Sequence, residues 1–275
     1  MISLLGRIAR GLRRAGLGSA LRSAVALVDL PLVRLGWAPL RATIEGVPVR
    51  GFLRHRSYIA EAMRPRETYA ELFVSLLRPG MTVIDGGAHV GLYTLLGSQG
   101  VGPGGIVFAL EPDRYNLAAL RLNAANAANA ANVEIVPRAL SDAEGVTTFF
   151  ETRSTIGSSL IERADAKAHS VETTSIDRLL EGRGVSSLLV KLNIEGAEPL
   201  ALRGMRETLA RVDAVAILIE VNPPLLAAAG TDVDTMLDGL RVQGFEAFYV
   251  DLPTQQPVPL PEPLRKGHLL VSRSA

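Results

Sequence analysis

The stretch Met81-Thr82-Val83-Ile84-Asp85-Gly86-Gly87-Ala88-His89-Val90-Gly91-Leu92-Tyr93-Thr94 restricts the fold of this 275-residue chain more than any other. The apolar run from Met81 to Ile84, set off by Pro79-Gly80, predicts a short strand buried on both faces, as in parallel sheets. Asp85 ends that run, three glycines follow within six residues, and Leu92, Leu95 and Leu96 take up helical spacing. Strand, glycine-rich turn and helix make a nucleoside-binding corner. Glycine is needed because backbone must approach a ligand closely at angles that a Cβ disfavours. The helix then presents free N–H groups at its start.

The order of residues narrows the ligand. A nicotinamide fingerprint, G-x-G-x-x-G, cradles a pyrophosphate. Here a carboxylate comes first, in Asp85-Gly86-Gly87-x-x-x-Gly91. An acid aimed into the pocket repels pyrophosphate but suits an ammonium group. S-adenosylmethionine carries an α-amino group and a sulfonium and no phosphate. Asp85, Gly86, Gly87, Ala88, His89, Gly91, Tyr93 and Thr94 are therefore the expected cofactor-binding residues of this corner.

A second buried strand, Gly104 to Leu110, ends in Glu111-Pro112. An acid there is placed to grip a ribose diol, each carboxylate oxygen accepting from one hydroxyl; the other reading is a cap for the helix that starts at Asp113. That helix runs on to Ala131 and contains a period-three repeat, Asn123, Asn126, Asn129 and Asn132, read as a solvated helix end. A third strand, Val133 to Val136, leads to Ala139-Leu140-Ser141-Asp142, where an adenine ring would lie. Leu140, Ser141 and Asp142 are cofactor candidates on that basis, and Asp142 is equally a turn residue ahead of Gly145.

Val146 to Thr152 and Ser170 to Ser175 read as an inserted hairpin, and the polar loop 154–159 between them is either a lid carrying Ser158 to the substrate or an ordinary loop. A fourth strand, Ser186 to Leu192, is followed by Asn193-Ile194-Glu195-Gly196-Ala197-Glu198. Glu195, ahead of a glycine in the turn, suits a pocket-facing acid. Glu198 opens the next helix and complements its dipole. Lys191 either faces the pocket and tunes Glu195 or is an ordinary strand-end lysine. A fifth strand, Ala214 to Ile219, ends at Glu220-Val221-Asn222, placing Glu220 and Asn222 as substrate candidates. The helix Val233 to Val242 and the strands Glu246 to Val250 and His268 to Val271 complete a doubly wound α/β sheet.

Ahead of this core, residues 1–37 hold six arginines (Arg7, Arg10, Arg13, Arg14, Arg22, Arg34) against the single acid Asp29, with apolar residues at roughly helical spacing. This segment is either a helical cap or a cationic helix in peripheral contact with an anionic membrane. No apolar run reaches the ~20 residues of a membrane span, and arginines interrupt any signal-peptide core. Residues 42–56 read as a small hairpin and 67–77 as a helix feeding the first core strand. His55, Tyr58 and Tyr69 either line a substrate pocket or are ordinary core and surface residues. The expected division is an extension over 1–64 and a catalytic domain over 65–275. The net charge of +1 gives the whole chain no bias toward nucleic acid. The absence of cysteine excludes disulfides and thiolate-bound zinc and fits a cytoplasmic location.

Four motifs in register now resemble the FkbM family of S-adenosylmethionine-dependent methyltransferases. The family's D-x-G-A-x-x-G turn stands as Asp85-Gly86-Gly87-Ala88-His89-Val90-Gly91, its E-P as Glu111-Pro112, and its A-L-S-D as Ala139-Leu140-Ser141-Asp142. Its K-x-D-x-E-G-x-E run stands as Lys191-Leu192-Asn193-Ile194-Glu195-Gly196-Ala197-Glu198, with Asn193 in place of the family's aspartate. The resemblance covers roughly residues 65–250. It implies a Rossmann-like class I methyltransferase fold and O-methylation of a hydroxyl on a sugar, polyketide or lipid-like metabolite.

An amide takes no proton, so Glu195 becomes the expected catalytic base, with Asn193 orienting and Lys191 assisting. Tyr58, Ser158, Glu220 and Asn222 are the expected acceptor contacts. A second mechanism places Mg²⁺ among Asn193, Glu195, Glu220 and Asn222. Two rival classes are a nicotinamide oxidoreductase, opposed by the glycine order, and a non-catalytic membrane module that keeps a cofactor pocket.

Overall fold

Val83, Val107 and Leu189 pack on one side of the central sheet while Ile84, Phe108 and Val190 pack on the other, all fully buried. Strands apolar on both faces need cover on both faces, and helices supply it. The computed structural model describes residues 28–64, 67–127, 130–152, 157–164 and 166–273. Its strands are β1 (Leu40–Ile44), β2 (Val47–Gly51), β3 (Thr82–Gly86), β4 (Ile106–Leu110), β5 (Val133–Val136), β6 (Ala139–Leu140) and β7 (Gly145–Glu151). β8 (Lys167–Thr174), β9 (Ser187–Leu192), β10 (Ala214–Val221), β11 (Glu246–Asp251), β12 (Gln256–Val258) and β13 (Gly267–Arg273) complete the set.

Eight strands form the main sheet in the order β12-β11-β13-β10-β9-β3-β4-β5. β5, β4, β3, β9 and β10 are parallel, and β13 lies antiparallel between β10 and β11. The order reverses between β3 and β9, so their carboxyl ends diverge into a crevice. This is a Rossmann-like, doubly wound α/β sheet with an antiparallel strand, β13, third from the β12 edge.

Helices Leu92–Val101, Arg114–Ala124, Glu198–Arg203, Arg206–Arg211 and Val233–Arg241 connect the strands. Asp113 caps the helix Arg114–Ala124 by accepting from the N–H groups of Tyr115 and Asn116, both at 2.9 Å. The capping alternative considered for Glu111 therefore belongs to Asp113.

The asparagine repeat differs from its expected solvated role. Its helix stops at Ala124. Asn123 is buried and bonds both backbone groups of Arg50 and the carbonyl of Val90, tying hairpin β1–β2 to the glycine-rich turn. Asn132 is buried and donates to the carbonyls of Ser98 and Gly102. Each satisfies backbone groups that helix and strand ladders leave open. Asn129 lies outside the described residues.

The insertion forms a separate three-stranded sheet, β6-β8-β7. Ser154 to Ile156 of its loop lie outside the described residues, as do Arg7, Arg10, Arg13, Arg14 and Arg22 of the leading segment. Helices Arg56–Ala62 and Pro223–Ala228 occupy stretches with no expected helix. Among the described residues no helix is long and apolar enough to cross a membrane.

Candidate active site

The turn after β3 is built for close approach. Gly87 has φ +73°, and a Cβ there would sit 2.1 Å from the carbonyl oxygen of Asn193. His89 and Gly91 are also left-handed, with φ of 53° and 97°. Gly87 and Ala88 donate to the carbonyl of Leu110, which ties the turn to the end of β4. Glu111 completes the tie. Its Oε2 accepts from the N–H of His89 and its Oε1 from the N–H of Asp113, both at 2.8 Å. Burial, then the nearby Asp113 charge, pushes the Glu111 carboxyl up to about 8 despite these two donors.

Asp85 differs from its expected aim. Its side chain is fully buried and is absent from the cavity wall. Oδ2 accepts from Thr94 Oγ at 2.6 Å, and Oδ1 lies 3.1 Å from Lys191 Nζ. The register explains this: Asp85 and Lys191 are direct partners across the β3–β9 ladder. Lys191 also donates to the carbonyls of Gly86 and Gly87, at 3.2 and 2.9 Å, and it does face the cavity. The acid thus positions a lysine, and the lysine braces the turn. Thr94, Gly86 and Gly91 likewise stand behind the wall rather than in it.

The turn after β9 is held by Glu198. Its carboxylate accepts from the N–H groups of Ile194 at 3.0 Å and Gly196 at 2.9 Å. Burial pushes this carboxyl up to about 7 against the pull of those donors. Between the two anchored amides Glu195 adopts φ 53°, an uncommon value for a residue with a Cβ. Burial, followed by the Glu220 charge, raises the Glu195 carboxyl above its ordinary range. From the insertion, Ser159 Oγ donates to the carbonyl of Glu195 at 2.6 Å, and Ser159 pairs with Phe150 through both backbone groups. Ser159 is a site-supporting residue that sequence reasoning missed, one position from the Ser158 it named.

Two cavities open on this turn. The first, about 130 Å³, is walled by Gly87, Ala88, His89, Glu111, Pro112 and Leu140, and Ser158 and Lys191 also line it. The second, about 380 Å³, is walled by Tyr69, Glu220, Tyr249, Lys266 and His268. Tyr58, Tyr93, Asn193 and Glu195 line both. Most of the expected residues therefore converge, from the ends of β3, β4, β9 and β10.

Besides Asp85, Gly86, Gly91 and Thr94, three more expected residues do not line either cavity. Asp142 is half exposed and paired with Arg203, and Ser141 Oγ donates to Asp142. Asn222 sits at the head of the helix Pro223–Ala228.

The Mg²⁺ arrangement is also corrected. Glu220 is 3.3 Å from Lys266 Nζ and 3.6 Å from His268 Nε2. Burial opposes ionisation, yet hydrogen bonding and charge from these two neighbours hold the Glu220 carboxyl down at about 2. Its oxygens are committed to them, Asn222 is elsewhere, and no group of three or more metal-ligating side chains converges among the described residues. Lys266 and His268 were missed as site residues. They reach Glu220 through the antiparallel register of β10 with β13, which no local pattern announces.

His55, by contrast, belongs to the scaffold. Its Nδ1 accepts from the N–H of Phe52 and its Nε2 faces Asn116 Oδ1 at 3.0 Å. Burial lowers its pKa to about 3, so it is neutral.

The fold thus brings two cavities together at one acidic turn. The methyltransferase FkbM domain matches residues 85–247, more than half of the chain, and the chain belongs to that family. The nicotinamide reading ends there. No functionally curated protein matches the sequence. Among solved structures it is similar to an rRNA methylase from Streptococcus thermophilus, at 13% identity over 77% of this chain and 96% of that one, with a TM-score of 0.40. It is similar to precorrin-6y C5,15-methyltransferase from Geobacter metallireducens, at 13% identity over 75% and 87%, with a TM-score of 0.41. It is also similar to a SAM-dependent methyltransferase from Aquifex aeolicus, at 14% identity over 75% and 89%, with a TM-score of 0.39. What those proteins methylate is their own property and is not carried to this chain.

Proposed function

We propose that this protein O-methylates a hydroxyl on a small sugar, polyketide or lipid-like acceptor, with S-adenosylmethionine held in the first cavity and the acceptor in the second. The observation that carries this reading is the shared wall: Glu195 and Asn193 line both cavities at once.

The residues of the first cavity fit the cofactor. Glu111 lines this cavity, and a carboxylate at the end of the second parallel strand suits a ribose diol. A Cβ at Gly87 would collide with the carbonyl oxygen of Asn193, so glycine here lets the two turns that wall the cavity meet. Leu140 and Phe149 give an apolar wall for a flat ring. When bound, S-adenosylmethionine supplies an electrophilic methyl group on a sulfonium.

The chain's own residues do the remaining work. Tyr58 and Tyr93, lining both cavities, shape the passage between them. Asn193 orients the acceptor hydroxyl. Glu195 takes the hydroxyl proton onto its carboxylate, a role suited to an acid whose affinity for protons burial has raised. Lys266 and His268 occupy Glu220 and keep it ionised, so Glu220 does not compete for the proton. Positioning accounts for much of the rate.

Methyl transfer from labelled cofactor to a panel of hydroxylated acceptors tests the reading. Glu195→Gln is expected to lower turnover by roughly 10²–10⁴-fold while leaving cofactor binding intact. Unchanged turnover in that variant would remove Glu195 from the mechanism.

A further inference from the structure

Eight large hydrophobic side chains are exposed among the described residues, and four of them fall between positions 28 and 37. Val28 is 46% exposed, Leu30 40%, Leu35 77% and Trp37 58%. The opposite side of the same short stretch is fastened to the core. Asp29 is fully buried and accepts from the N–H groups of Leu53 and Arg54, both at 2.9 Å. Leu32 packs in the hydrophobic cluster beneath. The outward direction of the four apolar side chains is therefore set by folded structure.

The burial of Asp29 has an electrostatic consequence. It is the only acid in residues 1–37, which hold six arginines. With Asp29 turned inward, the outer face carries apolar groups and Arg34. The sequence before it adds Arg7, Arg10, Arg13, Arg14 and Arg22 with no acid. The charge is local, because the whole chain is only +1.

We propose that this face docks on an anionic lipid surface, with Leu35 and Trp37 entering the interface and the arginines meeting headgroup phosphates. Apolar side chains flanked by arginine suit the boundary between headgroups and acyl chains, and tryptophan is enriched there. The other occupants fit less well. A second copy in a two-fold contact would set the same arginines against one another. A nucleic acid would use the arginines and leave four aliphatic and aromatic side chains in water. The docking is reversible and salt-sensitive, because it rests on one short apolar face and on charge. It is independent of the methyl-transfer reading and explains how the enzyme would meet an acceptor held at a membrane.

The chain carries its own probe, since Trp37 is its only tryptophan. The full-length protein is mixed with vesicles of phosphatidylcholine alone or with ~30% phosphatidylglycerol, an anionic fraction giving each nearby arginine a favourable contribution. The expected result is co-sedimentation and a blue shift of Trp37 emission with the anionic vesicles only. Both are reversed at about 0.5 M salt, where screening shortens the reach of charge to a few ångströms. Arg7→Gln with Arg10→Gln is expected to weaken partitioning by roughly tenfold or more. Leu35→Ser weakens it with no change in unfolding temperature or in S-adenosylhomocysteine binding. Unchanged emission and a soluble protein in the presence of anionic vesicles would overturn the proposal. So would equal binding to both vesicle types, or a Trp37 shift that follows protein concentration without lipid, which would mark a second copy as the occupant.

Discussion

At the scale of single residues, the site is a set of buried carboxyls with distinct tasks. Glu111 illustrates how pH separates stability from binding. Its carboxyl is raised to about 8 in the folded protein. Between its unfolded value and about 8 the folded state holds a proton that the unfolded chain releases. Its contribution to stability is therefore fully present in acid and is lost as pH rises through about 8. In the role proposed for Glu111, cofactor binding runs the other way, because a ribose diol would donate to the ionised carboxylate. S-adenosylhomocysteine affinity is expected to rise between about pH 6.5 and 9 and to level off above, and Glu111→Gln abolishes that rise. A flat calorimetric profile in the unmodified protein would contradict this role. Lys191 gives the second residue-scale prediction. Lys191→Met leaves Asp85 buried without its cation, at an expected cost of about 3–5 kcal/mol in urea unfolding. Adding Asp85→Asn to that variant recovers part of the loss, whereas a purely additive double mutant would deny the pairing.

At the scale of elements, the decisive unit is the turn between β9 and the helix Glu198–Arg203. Glu198 clamps the amides on either side of Glu195, and Ser159 of the insertion holds the carbonyl of Glu195. Glu198→Ala leaves the N–H groups of Ile194 and Gly196 without their acceptor, a loss of about 1–3 kcal/mol for the buried Gly196 group and less for the part-buried Ile194. It also frees Glu195 from its left-handed conformation, so turnover is expected to fall with stability. Ser159→Ala strips the Glu195 carbonyl and the Ile161 N–H of their partner, so a smaller loss of stability with a fall in turnover is expected, measured by thermal unfolding beside single-turnover rates. Legibility followed the same division. β3, the glycine turn, Glu111 and the run from Lys191 to Glu198 were readable because strand-end acids and glycines sit within a few residues of one another. The inward turn of Asp85 was not, since it depends on a neighbour more than a hundred residues away across the β3–β9 ladder. Lys266 and His268 were hidden for the same reason, on an antiparallel strand that sequence spacing does not pair with β10. The asparagine repeat misled because low complexity looks solvated, while Asn123 and Asn132 each bridge distant backbone groups.

At the scale of the whole molecule, the hairpin β1–β2 and the main sheet share one hydrophobic cluster. Ile44, Val47, Val49 and Phe52 pack with Val83, Leu92 and Leu189. We expect residues 28–64 to unfold with the rest of the chain in a single transition, seen as coincident fluorescence and circular-dichroism curves. An earlier separate loss of Trp37 signal would instead mark an independent unit. The family match supports methyl transfer, and the proposed seat of it is the acidic wall that the two cavities share. Calorimetric titration of the intact protein with S-adenosylhomocysteine, repeated on Glu111→Ala and Glu195→Gln, tests that centre most directly. Saturable uptake by the intact chain, a loss of tenfold or more in Glu111→Ala (at least ~1.4 kcal/mol) and unchanged uptake in Glu195→Gln are the predicted results. No uptake by the intact protein, or uptake undiminished in Glu111→Ala, would contradict it.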